Sequence, residues 1–376
     1  MPKAQPAAVA SALLASLLLA FMAGMGPFGR GAPALPGAQP MSLGFTFSER
    51  QADYLDLSWQ QAYSAAMGLQ PNLVRLAAYW DSIETAPGHY DFTDLDWLLD
   101  HTPPQSSVLL VVGMKAPRWP EYYLPRWLKA GLTLGSGADV AQDPNVRAAT
   151  LRFAAQVVQH ERSRPNIRYW QVENEPLDPS GPRQWTIDRG FLAEEIGLVR
   201  SLDPGRPIVA SMFVDTSPLG ALPPWRGRLT DRARQLLGLA DVLGLDVYPI
   251  RPVSTRSFQA SPQWPVWVWE GRVKSLQQIA QAAGKQSWIS EAQAEPWLPS
   301  HLVYTASAPA RNAAPGLTTT TVDRLQADGF NTILLWGVEY WYMRSERYQD
   351  HNWWKGMQLL FPHHESASQR GSPPSA

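Results

Sequence analysis

The chain has 376 residues, room for one large domain or two small ones. Its 32 Lys and Arg against 33 Asp and Glu leave a net charge of −1, so nothing electrostatic points to nucleic acid or an anionic membrane surface as a partner. There are no cysteines, which excludes disulfides, zinc–thiolate sites, a cysteine nucleophile and a lipobox anchor.

Between Lys3 and Arg30 the chain carries no charge, and Ala12 to Ala23 is an apolar run. Residues 1–40 therefore read as a secretory signal peptide followed by a Gly/Pro/Ala-rich spacer. Ala32-Pro33-Ala34 has the small-x-small cleavage pattern, although it lies far from the apolar run. The uncharged stretch Ala4 to Gly29 is also long enough to cross ~30 Å of hydrocarbon as a helix, so an uncleaved anchor is the alternative. Either version puts the remainder outside the cytoplasm. Gly24 to Gly29 matches G-x-G-x-x-G, but Pro33, Pro36 and Pro40 break any following helix, so the match is chance.

From Met41 onward, apolar strand-like runs alternate with amphipathic segments. Strands are expected at 43–47, 72–79, 107–113, 167–173, 207–213, 240–248, 286–291 and 331–337. Helices are expected at 51–67, 94–100, 146–161, 191–202, 229–239, 266–283, 321–328 and 351–361, with a long aromatic loop from Lys115 to Pro144. Val108-Leu109-Leu110-Val111-Val112 is apolar throughout, as a strand buried on both faces requires. Eight such units predict a (β/α)8 TIM barrel over residues 41–364, a single catalytic domain, with 365–376 as a disordered tail. A doubly wound open sheet is the alternative, and it lacks a plausible Gly-rich phosphate loop.

Two of the strands end in a carboxylate. Ile167 to Glu173 leads into Asn174-Glu175-Pro176, and Gln286 to Ser290 leads into Glu291. Two carboxylates at the C-terminal ends of different barrel strands can form the acid/base and nucleophile of glycoside hydrolysis. Glu173 competes with Glu175, because residues two apart on a regular strand face the same way. Glu295 competes with Glu291 from four residues further on. The 17 tryptophans supply an aromatic core, sugar-stacking platforms, or both. Trp119, Trp297, Trp341, Trp353 and Trp354 are open between those roles.

Five segments in order resemble the clan A glycoside hydrolases, retaining β-glycosidases such as families 5, 39 and 42, over roughly Leu43 to Trp354. They are Arg75 with Trp80 and the turn Glu84 to Phe92, Asn174-Glu175-Pro176, Gly244 to Pro249 with Tyr248, Ile289-Ser290-Glu291, and Leu335-Trp336-Gly337. The resemblance implies Glu175 as acid/base and Glu291 as nucleophile. It implies Arg75, Trp80, Asn174, Tyr248 and Trp336 as substrate-binding residues, with no metal or cofactor. One position departs from the pattern. Where family 5 usually has a histidine two residues before the tyrosine, this chain has Asp246.

The sequence thus points to an exported retaining glycoside hydrolase acting on an oligosaccharide or polysaccharide. Nucleic acid is not expected as a partner, and a membrane tether is expected only through the N-terminal segment. A transglycosidase on the same residues, a glycan-binding pseudoenzyme and an envelope scaffold are the alternatives. The scaffold needs no carboxylate pair.

Overall fold

The computed structural model describes residues 41–250, 253–255, 258–260, 264–297 and 313–363. The expected leader and spacer, the G-x-G-x-x-G match within them and the tail from residue 365 lie outside the described residues.

In chain order the strands are β1 Ser42–Thr46, β2 Leu73–Ala77, β3 Ser107–Val112, β4 Ile167–Val172, β5 Ile208–Val214, β6 Val242–Val247, β7 Val253–Thr255, β8 Phe258–Ala260, β9 Gln286–Gln293 and β10 Thr332–Trp336. Eight of them close into a barrel in the order β1-β10-β9-β6-β5-β4-β3-β2, every pair parallel. The expected (β/α)8 architecture is therefore present. Strands β7 and β8 form an antiparallel ribbon inserted between β6 and β9, which the sequence pattern did not reveal.

Strand alternation builds two cores of different character. One parity, including Phe45, Val74, Leu110, Trp170, Met212, Leu245, Ile289 and Leu335, packs outward against the helices. The other parity faces the barrel axis. There Leu73, Leu109, Val209, Val242, Trp288 and Leu334 pack together, with Tyr169 edge-on to Trp288. Further along the same strands the axial positions turn polar: Arg75, Gln171, Ser211, Asp246 and Ser290 are all buried. Gly244 lies between these two regimes. A Cβ there would come within 2.4 Å of Ser290 Oγ and 3.1 Å of Ser211 Cβ, so a side chain would evict the polar layer.

Helix starts follow local chemistry. Asp143 accepts from the Asn145 and Val146 amides at 2.8 and 3.2 Å ahead of helix Pro144–Glu161, and Pro144 gives up no needed N–H. Asp188 does the same for helix Arg189–Leu202. The single helix expected over 51–67 is two, Glu49–Tyr54 and Trp59–Met67. Asp56 adopts φ 56° between them, and Ser58 caps the second. Helices Pro223–Leu237 and Pro315–Ala327 each begin six residues before the expected start, at prolines that fit a first turn. Helix Val338–Tyr348 has no counterpart among the expected elements. No helix among the described residues is long and apolar enough to cross a membrane.

Candidate active site

At the C-terminal end of the barrel the polar axial layer converges on Glu291. Arg75, on β2 and fully buried, donates to Glu291 Oε1 through Nη1, to Asn174 Oδ1 at 2.5 Å through Nη2 and to Gln171 Oε1 at 2.9 Å through Nε. Tyr248, after β6, donates to Glu291 Oε2. Both oxygens of the carboxylate are thereby held, and its side chain is fixed before any ligand arrives.

A bulge aims Glu291. Along the β6–β9 pair the register runs Leu245 opposite Ile289 and then Asp246 opposite Glu291, so Ser290 is the extra residue. Ser290 donates to Asp246 Oδ1 at 2.5 Å, while the next residue, Glu291, meets Arg75 and Tyr248. Two consecutive side chains thus serve the same polar layer, which a regular strand does not permit.

Backbone conformation also separates Glu173 from Glu175. Both have positive φ, 60° and 44°, so the chain has left regular strand geometry after Val172. Glu173 turns away and accepts from the Met114 and Lys115 amides at 2.8 and 2.6 Å. It packs so closely under Gly113 that a Cβ there would lie 2.2 Å from its Oε1, and Gly113 has φ 131°. Burial raises the Glu173 carboxyl to about 7 and pushes the buried Glu195 carboxyl beside it well above the ordinary range. Glu173 is a brace for the loop after β3.

Glu175 instead remains partly exposed at the mouth, its amide donating to Ser211 Oγ at 3.0 Å. Its carboxyl is pushed well above the ordinary range by burial, then by the charges of Asp246 and Asp178, with Lys115 opposing and Glu291 adding. Lys115 Nζ donates to the Glu175 and Asp178 carbonyl oxygens at 2.7 and 3.1 Å. Carboxylate oxygens of Glu175, Asp246 and Glu291 all lie within 4.8 Å of one another. Three such oxygens resemble a cation cage, but both oxygens of Glu291 are taken by Arg75 and Tyr248, and the guanidinium already supplies the positive charge.

Glu295 has a different partner. Arg118, in the loop after β3, donates to Glu295 Oε1 through Nη1 and to Glu339 Oε2 at 2.6 Å through Nη2, while Glu339 Oε1 accepts from the Ser48 amide at 2.6 Å. The Arg118 guanidinium stacks over Trp336, 3.9 Å from the ring centroid. Tyr248 meets the same ring edge-on at 6.0 Å. Trp336 is therefore fixed between the charge cluster and the tyrosine that holds Glu291.

Of the residues singled out from sequence, Arg75, Asn174, Tyr248 and Glu291 meet directly, Glu175 lies within reach, and Trp336 adjoins Tyr248. Trp80 does not join them. It is fully buried, stacks on Phe153 at 5.1 Å and donates to Glu84 Oε2 at 2.6 Å, which makes it a core residue of the helical layer. Trp341 and Trp353 are buried and stack on each other, and Trp354 packs edge-on to Tyr342. Trp119 is 69% exposed beside Arg118, and Trp297 is 38% exposed and edge-on to Tyr248 at 5.1 Å. Sequence reasoning passed over Gln171, Ser211 and Arg118. Gln171 and Ser211 carried a usable signal, a polar residue inside an otherwise apolar strand run. Arg118 carried none.

No protein-family model matches the chain, and no curated protein matches it. Solved structures do. The β-galactosidase from Rahnella sp. R3 is similar with a TM-score of 0.59 at 15% identity, covering 92% of this chain and 59% of its own. Xylanase 10B from Thermotoga maritima has a TM-score of 0.56 at 13% identity, covering 87% and 97%. An exo-β-1,4-mannosidase from Opitutaceae bacterium strain TAV5 has a TM-score of 0.56 at 15% identity, covering 93% and 64%. The chain spans less than two thirds of the galactosidase and the mannosidase and nearly all of the xylanase. What it shares with these three enzymes is the fold, a closed parallel barrel of eight strands with alternating helices.

Proposed function

We propose that this chain is an exported retaining β-glycoside hydrolase, with Glu291 as nucleophile and Glu175 as acid/base. The observation that carries the reading is the pair itself: carboxylate oxygens within 4.8 Å at the barrel mouth, in contrasting surroundings. Retaining enzymes hold their carboxyls ~5–5.5 Å apart, whereas inverting ones leave ~6.5–9.5 Å for a water. The export clause rests on the uncharged apolar leader pattern alone.

The surroundings suit the two roles. Glu291 is gripped on both oxygens by donors and faces the anomeric carbon as an acceptor-only carboxylate. Glu175, raised by burial and neighbouring charge, favours its protonated form, the form that can donate to the departing glycosidic oxygen. When Glu291 bonds to the sugar, its charge is neutralised and one cause of that raised state disappears. Glu175, having given up its proton, then takes one from the water that attacks the glycosyl-enzyme. Asn174 is held by Arg75 where a donor to the sugar 2-hydroxyl belongs, and Trp336 offers the floor beside it. The β-galactosidase, xylanase and mannosidase similarities support a carbohydrate substrate, although the three act on different sugars. A screen of chromogenic aryl β-glycosides with the purified protein tests the proposal. Turnover of at least one that is lost in Glu291→Gly supports it. No turnover on any, with oligosaccharides bound intact, favours the glycan-binding alternative.

A further inference from the structure

The two-carboxylate reading leaves one buried ion cluster at the barrel mouth without a part in the chemistry. Arg118, Glu295 and Glu339 are all buried, and they come from three places: the loop after β3, the segment just beyond β9 and helix Val338–Tyr348 after β10. Arg118 donates to Glu295 Oε1 through Nη1 and to Glu339 Oε2 at 2.6 Å through Nη2. The other oxygen of Glu339 accepts at 2.6 Å from the amide of Ser48, just beyond β1. The hydroxyl of Tyr79, just beyond β2, donates to the Pro117 carbonyl at 3.0 Å and lies 2.7 Å from Ser48 Oγ. A loop that leaves β3 is thereby fastened across the ends of β2, β1, β10 and β9.

Fastening the loop is not all that this arginine does. Its backbone has φ 80°, a conformation that residues with a side chain rarely adopt and that persists where the surroundings over-determine it. The face of its guanidinium lies 3.9 Å from the centroid of the Trp336 ring. The edge of one planar cation thus meets two carboxylates while its face meets an indole, and a lysine ammonium has neither the fork nor the plane to do both. The backbone of Trp336 is held separately. Its carbonyl accepts from the Ala294 amide at 2.8 Å, and a Cβ on Gly337, which has φ 140°, would come within 2.8 Å of Glu295 Cβ. The backbone therefore sets where the ring starts, while Arg118 on its face and Tyr248 edge-on at 6.0 Å set which way it turns. Tyr248 is the residue that donates to Glu291.

We propose that Arg118 is a positioning residue: clamped by Glu295 and Glu339, it sets the plane of Trp336 beside Tyr248 and Glu291, and acts on turnover through that ring. Its effect on turnover rests on the glycosidase reading, and its effect on the ring does not. A sugar attacked at the anomeric carbon flattens toward a half-chair as the transition state forms. A floor that has lost its alignment supports that flattened ring less, and the nucleophile's tyrosine loses the edge it packs against. Both losses fall on the transition state more than on the bound ground state, so they lower kcat more than they raise KM. Arg118→Met removes the charge and the plane together. Arg118→Lys returns a charge to the two carboxylates without the plane that lies on the indole.

The test has one arm that needs no substrate. In protein labelled selectively at tryptophan and tyrosine, the nuclear Overhauser contact between the Trp336 and Tyr248 rings is assigned by its absence in Trp336→Ala. It is then read in R118M and R118K, each checked for a native circular dichroism spectrum. The expected result is loss of the contact in R118M and weakening in R118K, and an unchanged contact in both overturns the proposal. If R118M does not fold, R118K alone decides. The second arm is steady-state kinetics on any cleaved glycoside. R118M is expected to lower kcat/KM about tenfold, mainly through kcat, with a smaller loss in R118K. Both losses are expected to vanish in the Trp336→Ala background, where the ring that Arg118 acts through is gone. An arginine that served stability alone would lower the melting temperature and leave kcat of the folded enzyme untouched. Wild-type kcat in both variants, or equal losses with and without Trp336, overturns the proposal. If no glycoside is cleaved, the proposed function falls, and the ring contact alone decides whether Arg118 positions Trp336.

Discussion

Arg75 reaches across the barrel axis from β2 to hold Glu291 of β9, and with its second amino group it holds Asn174 beyond β4. One guanidinium, fully buried, thereby fixes the spacing between the nucleophile candidate and the segment that carries Glu175. Arg75→Met leaves the Glu291 carboxylate buried without its cation, which is expected to lower stability by about 3–5 kcal/mol. Urea unfolding measures it, and a change below about 1 kcal/mol would show the pair is not maintained. The double variant with Glu291→Gln is expected to recover a substantial part of the loss, because no charge is then stranded.

Two tryptophans with the same resemblance-based expectation separate cleanly. Trp80→Ala empties a fully buried site against Phe153 and is expected to lower stability by about 3–5 kcal/mol with kcat/KM nearly unchanged in the folded fraction. Trp336→Ala removes the ring between Arg118 and Tyr248 and is expected to lower kcat/KM about tenfold or more, ~1.4 kcal/mol of transition-state binding. Denaturation curves and steady-state kinetics on both variants check the contrast. Equal kinetic effects would move Trp80 into the site.

Glu173 is expected to behave as structure. Glu173→Ala leaves the Met114 and Lys115 amides without an acceptor and is expected to cost about 2–4 kcal/mol of stability. Added azide or formate is expected to restore nothing in this variant, since no reacting carboxylate has been removed. Small-molecule rescue here would identify Glu173 as a participant in the chemistry.

Much of this was legible in the chain. The alternation of apolar and amphipathic runs specified eight βα units, because strands buried on both faces read as continuous apolar runs such as Val108 to Val112. The site was legible where a strand ended in a glutamate. It was not legible where backbone geometry decides direction. The opposite fates of Glu173 and Glu175 depend on two positive φ angles, and the inward turn of Glu291 depends on a bulge at Ser290. Neither leaves a pattern of period two. Arg118 was invisible because its partners, Glu295 and Glu339, come from distant parts of the chain. Trp80 was misplaced because a motif match carries no information about which face of the chain a side chain takes.

Stability is expected to fall as pH rises. Burial raises Glu49 from 4.5 to about 8, and raises Glu173, Glu175, Glu195 and Asp246 in the same direction. A raised carboxyl binds more protons folded than unfolded, so the unfolding free energy declines with pH between the two values. For Glu49 the window runs from about 4.5 to about 8. Unfolding midpoints taken across that window check the sign, and Glu49→Gln is expected to flatten the decline. A midpoint that rises steadily from pH 5 to 8 would contradict it.

The central claim is that Glu291 attacks the sugar and Glu175 serves the proton, and azide separates the two roles by stereochemistry. In Glu291→Gly the vacated space admits azide to the face the nucleophile used, so the expected product from a β-glycoside is the α-glycosyl azide. In Glu175→Ala, substrates with good leaving groups still form the glycosyl-enzyme, deglycosylation slows, and a burst appears. Azide then attacks the intermediate from the opposite face and is expected to give the β-glycosyl azide. NMR of the two products is the measurement. An α-azide from the first variant and a β-azide from the second agree with the assignment. Both variants turning over at the wild-type rate, with no azide adduct from either, would contradict it.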